Sequence, residues 1–144
     1  EYLRRVFEDK IFDDLSLSPE EYIDYWLKHD NHVNLEMLNL VKSIGVPAYL
    51  GTNQDSYRTK HIKKIVGHTF RGCFASYAIG HIKPESGFYR YIENELGLES
   101  KQILLIDDTL ANVEGAKARG WQSYLYKGDL KQLKTFLQEL NLLT

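Results

Sequence analysis

One stretch, residues 103–120, constrains the fold of this 144-residue chain more than any other. It begins with four consecutive apolar residues, Ile103 to Ile106, which predict a strand buried on both faces, as in the interior of a parallel sheet. Two aspartates, Asp107 and Asp108, follow directly. A helical pattern comes next, and Gly120 marks its end. This order of strand, acidic pair and helix predicts an α/β fold with polar groups at a strand tip.

The acidic pair has two interpretations. Adjacent carboxylates at the end of a buried strand repel each other and need a cation or hydrogen bonds to hold them. Because open α/β sheets place ligands at the carboxyl ends of their strands, Asp107 and Asp108 predict an oxygen-rich site for a hard divalent cation, most simply Mg²⁺. Alternatively, Asp108 or Thr109 caps the next helix and Asp107 is merely solvated. The stretch alone leaves both interpretations open.

The composition indicates a globular chain in a reducing compartment. With 43% hydrophobic residues and a formal net charge of −2, the chain gives no reason to expect nucleic acid or an anionic membrane as its partner. No apolar run approaches the roughly 20 residues that a membrane span needs. Cys73 is the one cysteine, which excludes an internal disulfide and fits a reducing, cytoplasmic location. The charged opening Glu1–Arg5 carries no secretory pattern.

Taken in order, the chain predicts a helical beginning followed by an α/β core. Residues 1–12 have the pattern of an amphipathic helix, and Ser18 to Glu21 form a capping box that starts a second helix. Asn34 caps a third helix. From Val46 onward strands and helices alternate four times, which predicts a parallel, doubly wound, Rossmann-like sheet with helices on both faces. The expected strands are 46–50, 74–79, 103–106 and 123–126, and the residues expected to face the core include Leu35, Leu38, Val41, Ile44, Tyr57, Ile62, Ile65, Leu110, Val113 and Ala116.

Three loops of this sheet carry chemistry. Parallel strands joined by right-handed crossovers gather their carboxyl-end loops on one edge, so Thr52 and Asn53, then Lys83, then Asp107 and Asp108 should converge. A hydroxyl, an amide, a cation and a pair of metal-binding carboxylates together suit a phosphate group. Each residue also has a plain interpretation, as a helix cap, a turn former or a solvated side chain. The joint pattern nevertheless favours a phosphate site.

The motifs that form these loops resemble those of the haloacid dehalogenase (HAD) superfamily of phosphohydrolases. Tyr49–Asn53 is similar to its second motif, Gly80–Glu85 to its third in the form of the helical-cap branch, and 103–121 to its fourth. The likeness spans about 34–126 and is closest to sugar-phosphate phosphatases and epoxide-hydrolase N-terminal phosphatase domains. Dehalogenases of the superfamily usually lack the aspartate pair. A receiver-type domain would place its acidic pair early and its lysine late, the reverse of the order here.

The resemblance implies a role for each site residue. Thr52 and Lys83 would be catalytic, with Thr52, Asn53 and Lys83 binding the phosphoryl group of a small phosphorylated metabolite. Asp107 would bind Mg²⁺, and Asp108 would bind it too or orient Lys83 and the metal's waters. Asn112, also habitual in the fourth motif, is interpreted as shaping the start of the helix.

The chain departs from the superfamily at the nucleophile. The family's nucleophile is the first aspartate of an Asp-x-Asp-x-Thr motif at the end of the central strand, and nothing before Val46 fits, since Asp13 and Asp14 follow no buried strand. We therefore predict a partial helical cap at 1–33 and a HAD-like core at 34–144 that lacks its first strand, which would lie between the strands that end at Thr52 and Asp107. Two hypotheses follow: a Mg²⁺-dependent phosphatase of which this chain alone is inactive, or a degenerate, non-catalytic HAD-like binding or scaffolding domain.

Overall fold

The structure is a computed structural model that describes residues 18–29 and 32–143. The chain divides into two compact units, 1–33 and 34–144. The helix predicted for 1–12 and the Asp13–Asp14 segment lie outside the described residues, and the interpretation of 1–33 as part of a cap stays a prediction. In the described part of the chain, no helix is both long enough and apolar enough to cross a membrane.

The first unit contains the helix α1 (Pro19–His29). Its start is the predicted capping box. The Ser18 hydroxyl accepts the Glu21 N–H at 3.2 Å, while the Glu21 carboxylate accepts the Ser18 N–H at 2.7 Å. This reciprocal pair satisfies two backbone donors that the first turn cannot pair within the helix.

The second unit alternates strands and helices, as the sequence pattern predicts. Its helices are α2 (Leu35–Lys42), α3 (Ser56–Val66), α4 (Ser76–Ile79), α5 (Ser86–Leu96), α6 (Leu110–Ala118) and α7 (Leu130–Glu139). Its strands are β1 (Tyr49–Thr52), β2 (Gly72–Ala75), β3 (Leu104–Asp107) and β4 (Gln122–Leu125). Short 3₁₀ turns at Gly67–Thr69 and Ser100–Gln102 precede β2 and β3.

The strands form two parallel pairs. β1 pairs with β2 and β3 pairs with β4, and within residues 18–29 and 32–143 no ladder of hydrogen bonds joins β1 to β3. The carbonyls of Ile103 and Asp107 accept N–H groups at the two ends of β4. Because alternate residues of a parallel strand face the same neighbour, Leu104 and Ile106 direct their backbone groups away from β4. The doubly wound sheet is thus present as two halves, divided where the sequence interpretation places a missing strand.

Strand β3 is the centre of the core, and its two faces contact different clusters. Leu105, with Ile103 just before the strand, packs against the buried side chains of Phe88, Tyr89, Ile92, Ala116 and Trp121. Leu104 and Ile106 pack against the cluster of Leu40, Leu133 and Leu137. Helices α5 and α6 supply most of the first cluster and α2 and α7 most of the second. The prediction that both faces of this strand are covered is confirmed, although its apolar residues are partly rather than fully buried.

Each strand is shifted from its predicted range, and the two largest shifts, at the start of β1 and the end of β2, have a physical reason. β1 begins at Tyr49 rather than Val46, because Val46 is half exposed and Pro47 has no N–H to donate to a ladder. β2 ends at Ala75, and the apolar residues 76–79 that looked like more strand form the short helix α4. Gly80 ends that helix with a φ of 79°, a conformation that glycine adopts without strain.

Three residues expected in the core are exposed. Leu35, Tyr57 and Leu110 are each more than half exposed, and all three lie in the first turn of a helix. Side chains in a helix lean toward its amino end, so an apolar residue in the first turn extends past the layer that its helix covers. Further along α2 and α6, Leu40 and Val113 are buried instead.

Candidate active site

A buried ion pair lies at the carboxyl ends of β1 and β3. The Lys83 ammonium is 2.5 Å from the Asp107 carboxylate and donates a second hydrogen bond, at 2.8 Å, to the Gly51 carbonyl of β1. Lys83 and Asp107 are only 8% and 9% exposed. Lys83 comes from the loop after the short helix α4, so its side chain connects this loop with β1 and β3. The structure therefore brings together two of the loops that the sequence predicts to converge.

Asp107 is held by three donors. Besides Lys83, the Thr109 N–H donates to its carboxylate at 2.9 Å and the Asn112 amide at 3.0 Å. Burial raises the pKa of Asp107, but these hydrogen bonds and the positive charge of Lys83 more than offset it and leave the pKa below its usual value. Asp107 is therefore a carboxylate, not a carboxylic acid, at neutral pH.

Asn53 completes the connection between β1 and the Lys83 loop. Its Oδ1 accepts the Lys83 N–H at 2.8 Å, and its Nδ2 donates to the Lys83 carbonyl, also at 2.8 Å. Thr52, the last residue of β1, lies next to this amide and is partly buried. The first of the three predicted loops thus meets the second through the backbone of Lys83.

Asp108 lies beside this cluster but takes a different position. Its side chain is exposed, and Thr109 donates a long hydrogen bond of 3.3 Å to its carboxylate. Lys83 contacts Asp107 and not Asp108, so the ion pair involves the first aspartate of the pair rather than the second. Thr109 is the residue before α6, but its side chain makes no capping hydrogen bond.

Two close contacts hold together the elements behind Asp107. A Cβ on Gly115 of α6 would lie 2.9 Å from both the Cβ and the carbonyl oxygen of Pro84, so this position has no room for a side chain. The buried hydroxyl of Tyr89 donates to the Asn112 carbonyl at 2.7 Å. Burial, followed by the charge of Asp107, raises the pKa of Tyr89 to about 12, which keeps the phenol protonated as a donor. α5, α6 and the loop are thereby packed as one support behind Asp107.

Sequence reasoning missed two contributors to the site. Asn112 was interpreted as shaping the helix start, yet its amide donates directly to Asp107. The position of Asn112 in the first turn of α6 could have indicated this contact, because that turn lies over the carboxyl end of β3. The Gly51 carbonyl, which accepts the Lys83 ammonium, is a backbone group that no side-chain pattern reveals.

The cluster has unused capacity for a ligand. A lysine ammonium has three donors, and Lys83 uses two of them on Asp107 and Gly51. Each carboxylate oxygen can accept about two hydrogen bonds or metal bonds, and Asp108 is largely open. Among the described residues, no group of three or more His, Cys, Asp or Glu side chains is arranged to hold a metal. The described residues offer too few oxygen ligands to surround a metal ion completely, but they suit a cation that keeps several water ligands.

Comparison with known proteins identifies a family. Residues 3–120 match the profile of the haloacid dehalogenase-like hydrolases. Against curated proteins, the sequence finds no significant match.

Solved structures share the fold. A wild-type HAD family enzyme from Bacteroides thetaiotaomicron, in complex with magnesium and inorganic phosphate, superimposes with a TM-score of 0.75 at 22% identity, over 90% of this chain and 72% of that one. A predicted HAD-like hydrolase from Porphyromonas gingivalis gives 0.70 at 20% identity, over 92% and 72%. A HAD phosphatase from Thermococcus onnurineus gives 0.69 at 23% identity, over 90% and 69%.

Proposed function

Because the chain belongs to the haloacid dehalogenase-like hydrolases, we propose that it forms the phosphate- and metal-binding part of a Mg²⁺-dependent phosphatase acting on small phosphorylated metabolites. The observation that carries this proposal is the buried Lys83–Asp107 pair between β1 and β3, with Asn53 on one side and the open carboxylate of Asp108 on the other. A buried charge pair at a ligand-binding sheet edge, with donors and acceptors still available, is typical of a site that handles charge.

In this proposal Thr52 and Lys83 are catalytic and act on the phosphoryl group together with Asn53. The third donor of Lys83 stabilises the negative charge of a phosphoryl oxygen, and the Thr52 hydroxyl donates to another. Asn53 supports the same group. Such donors accelerate phosphoryl transfer because they are already oriented toward the charge of the transition state.

Asp107 and Asp108 would hold Mg²⁺. The fit rests on their chemistry: both ligands are oxygens, Asp107 is ionised, and Asp108 faces solvent. Mg²⁺ prefers one or two carboxylates, several waters and a substrate phosphate over an all-protein cage. When bound, the ion would neutralise phosphate charge. The chain's own residues bind and orient the phosphoryl group and keep Asp107 in its carboxylate form.

The nucleophile in this proposal is an aspartate on a strand between β1 and β3. Support comes from the side of β3 that faces away from β4: Leu104 and Ile106 direct their backbone groups to it, and no other described strand pairs there. Among the described residues, Asp107 is the carboxylate that contacts Lys83, and that contact occupies it. We therefore expect no turnover from the 144-residue chain alone, because an aspartyl-phosphate needs a separate carboxylate.

The proposal is tested by reading the upstream coding sequence and by a phosphatase assay. The coding sequence before Glu1 should encode an apolar strand followed by Asp-x-Asp, and the protein that includes it should hydrolyse para-nitrophenyl phosphate with Mg²⁺. Activity should fall to background in Asp107→Asn and in Lys83→Ala. The matched control is Lys101→Ala, which removes a lysine with a 78% exposed side chain and should leave the rate unchanged. The lack of such a strand would favour the non-catalytic alternative, whereas full activity in both site variants would refute the assignment of Lys83 and Asp107 to the active site.

A further inference from the structure

We propose that Asn53 is a positioning residue for Lys83: its side-chain amide holds the Lys83 main chain and thereby keeps the ammonium group between β1 and β3. This inference deepens the proposed function and rests on it, because Lys83 is there the cation that meets the phosphoryl group. Asn53 would then support the phosphoryl group by positioning Lys83, and not by direct contact with phosphate.

The hydrogen bonds between the two residues are reciprocal. Asn53 accepts from the Lys83 N–H and donates to the Lys83 carbonyl, both at 2.8 Å, so the side-chain amide takes the place of a neighbouring peptide group. Two bonds to one residue define its orientation as well as its position. Asparagine suits this role because aspartate has no donor and glutamine places its amide one methylene further away.

Other contacts of the loop hold different residues. Glu85 accepts the Ile82 N–H at 3.3 Å and lies 3.1 Å from His81, and Pro84 packs against Gly115. Within the described part of the chain, the Asn53 amide is the side chain seen to bond the Lys83 backbone.

The hydrogen bonds from Asn53 to the Lys83 backbone matter because the Lys83 ammonium is buried. Lys83 is 8% exposed, and an ammonium gains hydration whenever its loop moves outward. The ion pair with Asp107 opposes that movement at the end of the side chain, while Asn53 opposes it at the backbone. A cation that stabilises a transition state must be held within a fraction of an ångström, so a backbone restraint acts directly on catalysis.

The first experiment measures how accessible Lys83 is in the full chain. Acetylation with a water-soluble N-hydroxysuccinimide ester is followed by mass spectrometry, in the wild type, Asn53→Ala and Asn53→Asp. Loss of both hydrogen bonds in Asn53→Ala should raise the Lys83 labelling rate about tenfold. Asn53→Asp has nearly the same shape but loses the donor, and it should raise the rate at least about threefold. Unchanged Lys83 labelling in both variants would overturn the proposal.

Two controls separate this effect from a general loss of stability. Lys101, with a side chain 78% exposed, should label at the same rate in every variant. Trp121→Phe removes a hydrogen bond to Glu93, away from the Lys83 loop, and should leave Lys83 labelling within about twofold of the wild type. If Trp121→Phe exposes Lys83 as much as Asn53→Ala does, Asn53 has no special hold on Lys83 and the proposal is wrong.

The second experiment is a double-mutant cycle for inorganic phosphate binding in the presence of Mg²⁺, measured by calorimetry. Asn53→Ala should weaken binding about tenfold when Lys83 is present and have no effect in the Lys83→Met background. A loss that persists in Lys83→Met would mean direct contact between Asn53 and phosphate, which contradicts the proposal. If the wild type binds no phosphate, the proposed function fails, whereas the labelling experiment still decides the role of Asn53.

Discussion

Two buried carboxylates differ in how many of their neighbours are free to bind a ligand: Glu93 of α5, which contacts Ser100 in the turn before β3, and Asp107, the last residue of β3. Glu93 accepts hydrogen bonds from Ser100, Arg119 and Trp121 at 2.6–3.1 Å. Asp107 accepts from Lys83, Thr109 and Asn112 at 2.5–3.0 Å. Both groups have pKa values below the usual range.

The difference lies in the cations and the neighbours. Arg119 contacts Glu93 through a planar fork that gives three of its hydrogen bonds, and Trp121 and Ser100 fill the remaining positions. Lys83 retains one donor, and the exposed carboxylate of Asp108 lies beside Asp107. A saturated carboxylate stabilises the fold, whereas an unsaturated cluster of charges can also bind a ligand. Variants around the two carboxylates should therefore separate stability from ligand binding.

The largest effect is expected from Lys83→Met. It leaves the Asp107 carboxylate buried without its cation and should lower the free energy of unfolding by about 4 kcal/mol, measured by urea denaturation at pH 7. Phosphate binding should weaken strongly but stay measurable, because Thr52 and the Mg²⁺ site are unchanged. A loss below about 1 kcal/mol would show that Asp107 is solvated and that the pair is not buried in solution.

Glu93→Gln should cost less and affect stability alone. Arg119 is partly exposed and can turn to solvent, so the expected loss is about 2 kcal/mol in the same urea experiment. Affinity for Mg²⁺ and phosphate should stay at the wild-type value. Glu99→Gln, which alters the exposed pair with Lys101, is the control and should change stability by less than about 0.5 kcal/mol. Weaker phosphate binding in Glu93→Gln would break the distinction between the two carboxylates.

The pH dependence gives a smaller but more specific signal. Burial raises the pKa of Glu93, but hydrogen bonds from Arg119, Trp121 and Ser100 lower it by more. The net effect is a pKa of about 2, compared with an ordinary 4.5. A lowered carboxylate pKa gives stability that is present above the unfolded pKa and lost as the pH falls through the folded one. The gap in unfolding free energy between wild type and Glu93→Gln should therefore shrink between pH 5 and 2, by about 1 kcal/mol or more. Urea titrations at a series of pH values measure it, and a constant gap would contradict the charged hydrogen bonds.

The smallest change in stability is expected from Asp108→Asn. Its side chain is exposed, so the free energy of unfolding should stay within about 0.5 kcal/mol of the wild type. Mg²⁺ affinity should nevertheless fall about tenfold, because the ion loses a charged ligand. Calorimetric titration with Mg²⁺ measures this, with Asp129→Asn, at the exposed cap of α7, as the control. Unchanged Mg²⁺ affinity would remove Asp108 from the metal site.

Local sequence predicted the parts of this fold that depend on local pattern. The apolar run of β3, the Ser18 capping box and the Asn34 helix cap are all where the pattern places them. The local pattern gave the wrong element at residues 76–79, which were predicted as part of a strand but form one turn of helix.

In the site, the convergence of three loops followed from parallel topology, but the pairing within it did not. The bonds from Lys83 to Gly51, Asn53 and Asp107 join residues 24 to 32 positions apart. Which of two adjacent aspartates meets the lysine depends on the pleat of β3, since neighbouring side chains point to opposite faces. Glu93 gave no signal, because its partners come from two other segments, the turn before β3 and the segment between α6 and β4.

No strand in the described part of the chain pairs with the side of β3 that faces away from β4, and this makes two amides useful as probes. Leu105 and Asp107 direct their N–H groups to β4, whereas Leu104 and Ile106 direct theirs away from it. Hydrogen–deuterium exchange should accordingly alternate along the strand, slow at the first two amides and fast at the second two. Any polypeptide segment that pairs alongside β3 would slow exchange at Leu104 and Ile106 first. Amide exchange at these two residues therefore reports, residue by residue, whether the two halves of the sheet have been joined.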